Sequence, residues 1–555
     1  MNKKTYNALG MTSGKEYLTK YVFPILILNV IMLLVVLLGF DQFVIRAFAV
    51  LLFIIIIVLI MVYPILILDS QKRDIDENLH YFITYAGALS TINMGRKELF
   101  YDFSQKNRYR EISKVFMKIY YLVQSIKVDF STSAYKVAKT LKTEHFSRFL
   151  ERMGVSLSFN SDMQKFFLDE QKAMMDSYAV VYTESLERIK LVQEMYVSLT
   201  LAFAFLMSTI LLLPFLTGLD PVYMMQIGLL GLVLLNVMML VFIKFFLPRD
   251  KLFHSLGYEK GRVNIIKWFL ISVVIVMLIL PFVMRFDVPL MTKIAILGTP
   301  LLLSGWYARK IEKEVWDMDV LFPSFIRSFG DVHESKGGTL TTTIETLLPH
   351  NFGILDGMMN RVYKRLKITS DKFNSWYYFS KESGSALIAE FTDIFISVVY
   401  RGGSAQIAGE IVSDNMSRIN GLRDQKKEIV STFRGNIYGS FFGIALTIYV
   451  SLLVSVVLFD IFGDITSNVD ELAIDLVGDI FPENIDADFQ SITLYVAIML
   501  VFQAFFSSYL VKQVDGGHPL SGLVDVTIML WIGAMTEVIL TYAFTSVFSS
   551  YFGLA

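Results

Sequence analysis

The sequence predicts an all-α, polytopic membrane protein with about nine transmembrane helices and two helical-bundle domains inserted on the cytoplasmic side. Three observations carry that prediction. The 555-residue chain is 54% hydrophobic and 18% charged, with a mean hydropathy of +0.54. A soluble domain runs at roughly 45–50% apolar and about 25% charged. The apolar residues fall in long blocks, and between the blocks lie two charged stretches of more than a hundred residues, 69–194 and 309–435.

A helix crosses a bilayer with about 20 apolar residues, roughly 17–25 being tolerated. Nine stretches are read as spans: 23–40, 47–68, 196–216, 225–247, 268–284, 293–307, 437–459, 491–510 and 526–548. The sixth is the shortest. The first is not a cleaved signal peptide, because Asp41-Gln42-Phe43 follows it in place of a small-residue cleavage site and a second span comes at once. The chain thus divides into 1–68 (tail and two spans), 69–194 (first module), 195–308 (four spans), 309–435 (second module) and 436–555 (three spans).

Lysine and arginine set the orientation. Lys3, Lys4, Lys15 and Lys20 precede the first span, which places the N-terminus in the cytoplasm. Alternating the spans then puts both modules in the cytoplasm and the C-terminus outside. The loop 460–490 falls outside; it carries nine Asp and Glu and no Lys or Arg.

Both modules read as helical. Ile112, Val115, Phe116, Ile119 and Val123 recur at three- and four-residue spacing, as do Met175, Tyr178, Tyr182, Leu186 and Ile189. In the second module Ile354, Leu355, Met358, Val362 and Leu366 do the same. The modules also resemble each other. Gly95 stands as far beyond Leu79 as Gly337 stands beyond Leu321. The following membrane entries, near Met195 and Ile437, are equally displaced from the same two leucines. Two copies of one helical module are expected. Gly95 in one, and Gly337 with Gly338 in the other, are read as turns that close one helix and start the next.

Much chemistry is excluded. There are no cysteines, and the six histidines are scattered, so disulfides, iron–sulfur clusters and thiolate zinc are absent and no histidine pair has a metal-ligand spacing. Ser13-Gly14-Lys15-Glu16 lacks the hydroxyl residue of a phosphate-binding loop. No catalytic elbow or metalloprotease helix is present. The expectation is a non-enzyme without cofactor or metal, which leaves any use of ATP to another chain. Acidic residues interleaved through both modules argue against nucleic-acid binding.

Two helical modules, each breaking at glycine and running into a span, resemble the F-domain of type II secretion and type IV pilus platform proteins. The length and the motifs Glu334-Ser335-Lys336-Gly337-Gly338-Thr339-Leu340 and Tyr400-Arg401-Gly402-Gly403-Ser404-Ala405 are similar to the archaellar (archaeal flagellar) branch of that family. The first module departs from the pattern, with Gly95-Arg96 where the second has two glycines. The resemblance implies a platform beneath an archaellin- or pilin-type filament and above a cytoplasmic hexameric secretion-type ATPase with its accessory proteins. Work done by that ATPase would pass through the platform into filament assembly and rotation. A non-rotating pilus or secretion platform is the nearest alternative, and a secondary transporter is the alternative of another class.

Two basic clusters are then docking candidates for the ATPase: Lys106, Arg108, Arg110, Lys114 and Lys118, and Arg361, Lys364, Arg365 and Lys367. An anionic lipid surface or plain solvent would also suit such faces. Glu537 lies near the middle of the last span, where a charge costs at least about 2.5–3.5 kcal/mol. It is expected to make a structural hydrogen bond, with Asn236 as partner. Gly439 and Gly443 form a Gly-x-x-x-Gly pattern in the seventh span. That pattern serves packing within the chain or a homodimer seam. The charged runs 182–194 and 422–434 enter the third and seventh spans without a break and are read as levers.

Overall fold

The computed structural model describes residue 53 and residues 72–552, apart from 73, 93, 142, 160, 215–219, 248–251, 255–258, 369–370 and 469–488. The first two expected spans, apart from Phe53, and most of the acidic loop lie outside the described residues. Among the described residues every regular element is helical. The chain divides into two compact units, residues 1–181 with 318–420 and residues 182–317 with 421–555.

The first unit joins parts of both inserted stretches. Its helices are 74–89, Arg96–Gln105, Arg110–Ser125, Phe130–Ala138 and Glu144–Ser158, the start of Met163–Leu212, the end of Leu301–Lys336, Leu340–Leu347, Leu355–Ile368, Lys372–Ser383 and Ala386–Val399, and the start of Ala405–Asn468. The duplication read from the glycine spacing recurs in the helices. Those beginning at Phe130, Glu144 and Met163 have counterparts beginning at Lys372, Ala386 and Ala405, all three displaced along the chain by the same interval. The caps repeat as well. The Asp129 carboxylate accepts the Thr132 N–H at 2.9 Å, and Asp371 accepts the Asn374 N–H at 3.1 Å. Each satisfies an N–H that the first turn of a helix leaves without a partner.

Aromatic rings fill both halves of this unit. Phe82, fully buried, stands 5.1 Å from Phe103 and 5.0 Å from Phe116 between ring centroids. Phe329 meets Trp376 edge-on at 5.3 Å and Phe395 at 5.6 Å. These are the distances at which ring quadrupoles attract. The halves are in direct contact. Asp176 and Arg418, equivalent positions of the repeat, form an ion pair with each other, as two copies do across an isologous contact. Asn415 beside them donates to the Thr84 hydroxyl at 2.9 Å and to the Gln171 carbonyl at 2.8 Å. The two inserted stretches therefore do not stand as separate bundles; they share one core.

The second unit holds the apolar helices. Among the described residues six helices are long and apolar enough to cross a membrane, and they include Pro221–Lys244, Val263–Val283 and Pro519–Ser546. Only 11% of the most apolar window of Val263–Val283 is buried by the rest of the chain, leaving side chains such as Met277 (70% exposed) and Leu278 (65%) uncovered. Such a surface is suited to lipid rather than water. The sixth expected span, 293–307, is not one helix. It falls across Leu290–Gly298 and Leu301–Lys336, which meet at Thr299-Pro300 through short-range bonds from Leu302 N–H to Thr299 O and Leu303 N–H to Pro300 O. Proline has no N–H to donate and its ring crowds the preceding turn, so the helical ladder is interrupted at Pro300 although Thr299 keeps helical backbone angles. A hydropathy window averages over that break.

Candidate functional surfaces

The first basic cluster is largely committed within the first unit. The Lys106 ammonium lies 2.9 Å from Asp393 and donates to the Ser397 hydroxyl at 2.9 Å. Arg108 pairs with Glu390, and burial and that carboxylate together hold the neighbouring Tyr109 hydroxyl well above its usual range. Lys114 reaches Glu111 one turn away at 2.6 Å. Arg110 and Lys118 are exposed without an ion-pair partner among the described residues. The sequence gives one signal for this arrangement: Glu390 and Asp393, three apart on one face of the otherwise uncharged Ala386–Val399 helix, ten of whose residues are buried. Acids in such a helix need cations from elsewhere.

The second cluster presents a more open face. On Leu355–Ile368 the residues Leu355, Met358, Val362 and Leu366 are buried as the stripe predicts, while Ile354, just before the helix, is exposed. On the polar side Arg361 pairs with Glu382 at 2.7 Å and Arg365 pairs with the same carboxylate. Burial pushes the Glu382 carboxyl up, but the hydrogen bonds from Arg365 and Arg361 outweigh it and hold the group below its usual range. Lys367 lies 3.8 Å from Glu345, and Lys364 is exposed without a partner among the described residues. Next to this face Ile368 is 85% exposed. An apolar anchor beside a cationic rim is a common form of protein-binding surface.

The glycine turns differ between the two halves. Gly337 takes φ +57°, the left-handed conformation expected of a helix-ending glycine, and its N–H closes back on His333 O at 3.1 Å. Gly95 instead has φ −64° in extended backbone and open space around it, so it opens a helix without needing to be glycine. The Gly337-Gly338 motif and the Gly402-Gly403 motif come together. Glu334 accepts the Ala405 N–H at 2.8 Å and the Gln406 N–H at 3.4 Å, capping the helix that starts at Ala405 with a negative charge. Arg401 pairs with Asp102 of the first half, which also accepts from the Tyr85 hydroxyl.

In the second unit Glu537 and Asn236 do not meet. Asn236 is fully buried, accepts from the Tyr196 hydroxyl at 3.0 Å and donates to Gln503 at 2.9 Å. Glu537 accepts the Met291 N–H at 3.1 Å, at the first turn of Leu290–Gly298. The expected structural bond is present with a different partner, an N–H in the first turn of a helix that starts after Pro289. Among the described residues Gly439 has nothing within 4 Å of an added Cβ, and Gly443 meets only Leu201 at 3.4 Å, so neither makes a close crossing with a described helix. At the start of the last long helix, Asp525 (1% exposed) accepts from the Tyr438 hydroxyl and makes ion pairs with Arg309 at 2.7 Å and Arg434 at 3.2 Å. Sequence reasoning did not single out Asp525; its one signal is a lone acid at the edge of an apolar block.

The chain is 32% identical over 540 residues to Flagella accessory protein J of Methanocaldococcus jannaschii, covering 95% of this chain and 94% of that one. It is 30% identical over 540 residues to Flagella accessory protein J of Methanococcus voltae, covering 95% of each. No family model matches the chain, and no solved structure matches it.

Proposed function

The chain belongs to the Flagella accessory protein J family, and from that premise we propose that it is the membrane platform of an archaellum motor. It couples a separate cytoplasmic hexameric ATPase to filament assembly and rotation. The observation that carries the reading is helical continuity. In the second unit the charged run 182–194 continues into the apolar residues of Met163–Leu212, and 422–434 continues into those of Ala405–Asn468, with no break in either helix. A continuous helix transmits displacement along its axis, because stretching it would break its backbone bonds one after another. The platform itself does no hydrolysis; its part is mechanical.

The face of Arg361, Lys364, Arg365 and Lys367 with Ile368 at its edge is the proposed seat of the ATPase. It faces the cytoplasm in the orientation set by the basic residues. With all four cations changed to glutamine, the full-length protein should bind the ATPase at least about tenfold more weakly at low salt, mainly through slower association. The difference should shrink at high salt. Co-purification and surface binding measure this, with unchanged helix content and a single cooperative unfolding transition showing that the fold is intact, since Glu382 loses both arginine partners. Equal binding by wild type and variant would remove this face from the interaction.

A further inference from the structure

In the second unit a cavity of about 330 Å³ opens where three apolar stretches give way to charge. Arg309 follows the stretch 293–307, Arg434 precedes 437–459 and Lys512 follows 491–510. Seven cationic side chains and two carboxylates line it. Both carboxylates are already engaged: Lys512 lies 2.9 Å from Glu312 and 3.1 Å from Asp515, and Glu312 also accepts the His518 N–H at 2.7 Å. Arg309 and Arg434 share Asp525 behind the wall. Lys313 and Lys427, both exposed, take part in none of these pairs; Arg423 and Lys426, both buried, also line the cavity and are already engaged.

Positive charge gathered in a small concave space is costly until a counter-charge enters. The Lys427 ammonium stands over the Trp316 ring. Partial burial of the ammonium end lowers its amine to about 8; the Asp424, Asp515 and Asp317 carboxylates oppose that shift and the Arg423 guanidinium adds to it. We propose that this cavity binds a phosphate-bearing anion, supplied by a lipid headgroup or by a free phosphate compound. A phosphate offers several acceptor oxygens to a guanidinium fork and to flanking ammonium groups. Basic pockets at the ends of apolar helices, on the side where positive charge collects, suit anionic headgroups.

The test uses the full-length chain in detergent, as wild type, as Lys313→Ala/Lys427→Ala, and as Lys165→Ala, an exposed lysine that does not line the cavity. Native mass spectrometry reads retention of phosphatidylglycerol against phosphatidylcholine offered in equal amounts. Thermal midpoints are read with and without millimolar pyrophosphate, each variant against its own unliganded midpoint, because Lys427→Ala also removes the ammonium that stands over Trp316. Selective retention of phosphatidylglycerol, weakened at least about tenfold in the double variant and unchanged in Lys165→Ala, supports the proposal with a lipid source. A pyrophosphate-induced rise in midpoint, lost in the double variant and without lipid selectivity, supports it with a soluble source. The proposal is overturned by equal retention of the two lipids with no pyrophosphate effect, or by a double variant that behaves as wild type.

Discussion

Asp525→Ala should destabilise the protein by about 3 kcal/mol, seen as a fall of several degrees in the thermal midpoint of the detergent-solubilised chain. The carboxylate is 1% exposed, and the facing Arg309 and Arg434 side chains are 32% and 27% exposed. Removing the shared carboxylate leaves the Arg309 guanidinium partly desolvated without a counter-charge and leaves Arg434 only Asp515 at 3.6 Å, and breaking a buried pair costs about 3–5 kcal/mol. Because the arginines retain some solvent, the lower end applies. The Tyr438 hydroxyl loses its acceptor at the same time. Asp525→Asn keeps an acceptor for Tyr438 and removes the charge, so it should fall between wild type and Asp525→Ala. A midpoint for Asp525→Ala within about a degree of wild type would show that the cluster is screened and contributes nothing.

Gly330→Ala should cost about 3 kcal/mol, at the upper end for overpacking. An added Cβ would run into the Ala405 carbonyl oxygen and stand 3.3 Å from the Gly409 Cα. Gly409 has the same constraint, with 3.0 Å to the Ile326 carbonyl oxygen. Within the first unit these two helices cross backbone to backbone, so no side chain can swing aside to make room. Gly95→Ala is the matched control: nothing lies within 4 Å of its added Cβ, and a change below about 0.5 kcal/mol is expected. Denaturation of the two variants side by side checks both. Equal midpoints would mean that the crossing relaxes freely.

Local pattern was enough to read part of this fold. The stripe Ile112, Val115, Phe116 and Ile119 is buried, because a helical repeat leaves one apolar face to cover. The repeat announced by two glycines and two leucines reappears as equally displaced helix starts, Phe130 with Lys372, Glu144 with Ala386 and Met163 with Ala405. What failed to show depended on chain pairing. Lys106 and Arg108 look like a solvated basic patch until Asp393 and Glu390, from the other inserted stretch, are brought against them. Glu537 finds its hydrogen bond at Met291 rather than Asn236 because a helix starts after Pro289 and leaves the N–H groups of its first turn without partners inside the helix. A hydropathy average cannot register one proline. Asp525 resembles any loop acid until Arg309, Arg434 and Tyr438 converge on it from two other helices.

The claim that these helices carry force can be tested by uncoupling them. A short glycine linker inserted after Arg434 should interrupt the helix between 422–434 and the apolar stretch beyond it, since each interior glycine costs about 1 kcal/mol relative to alanine. Expressed in a motile strain lacking its own copy, this variant should accumulate in the membrane and still bind the ATPase, yet support neither filament assembly nor swimming. Normal swimming by cells carrying the linker would contradict the account, because force would then have reached the filament without a continuous helix to carry it.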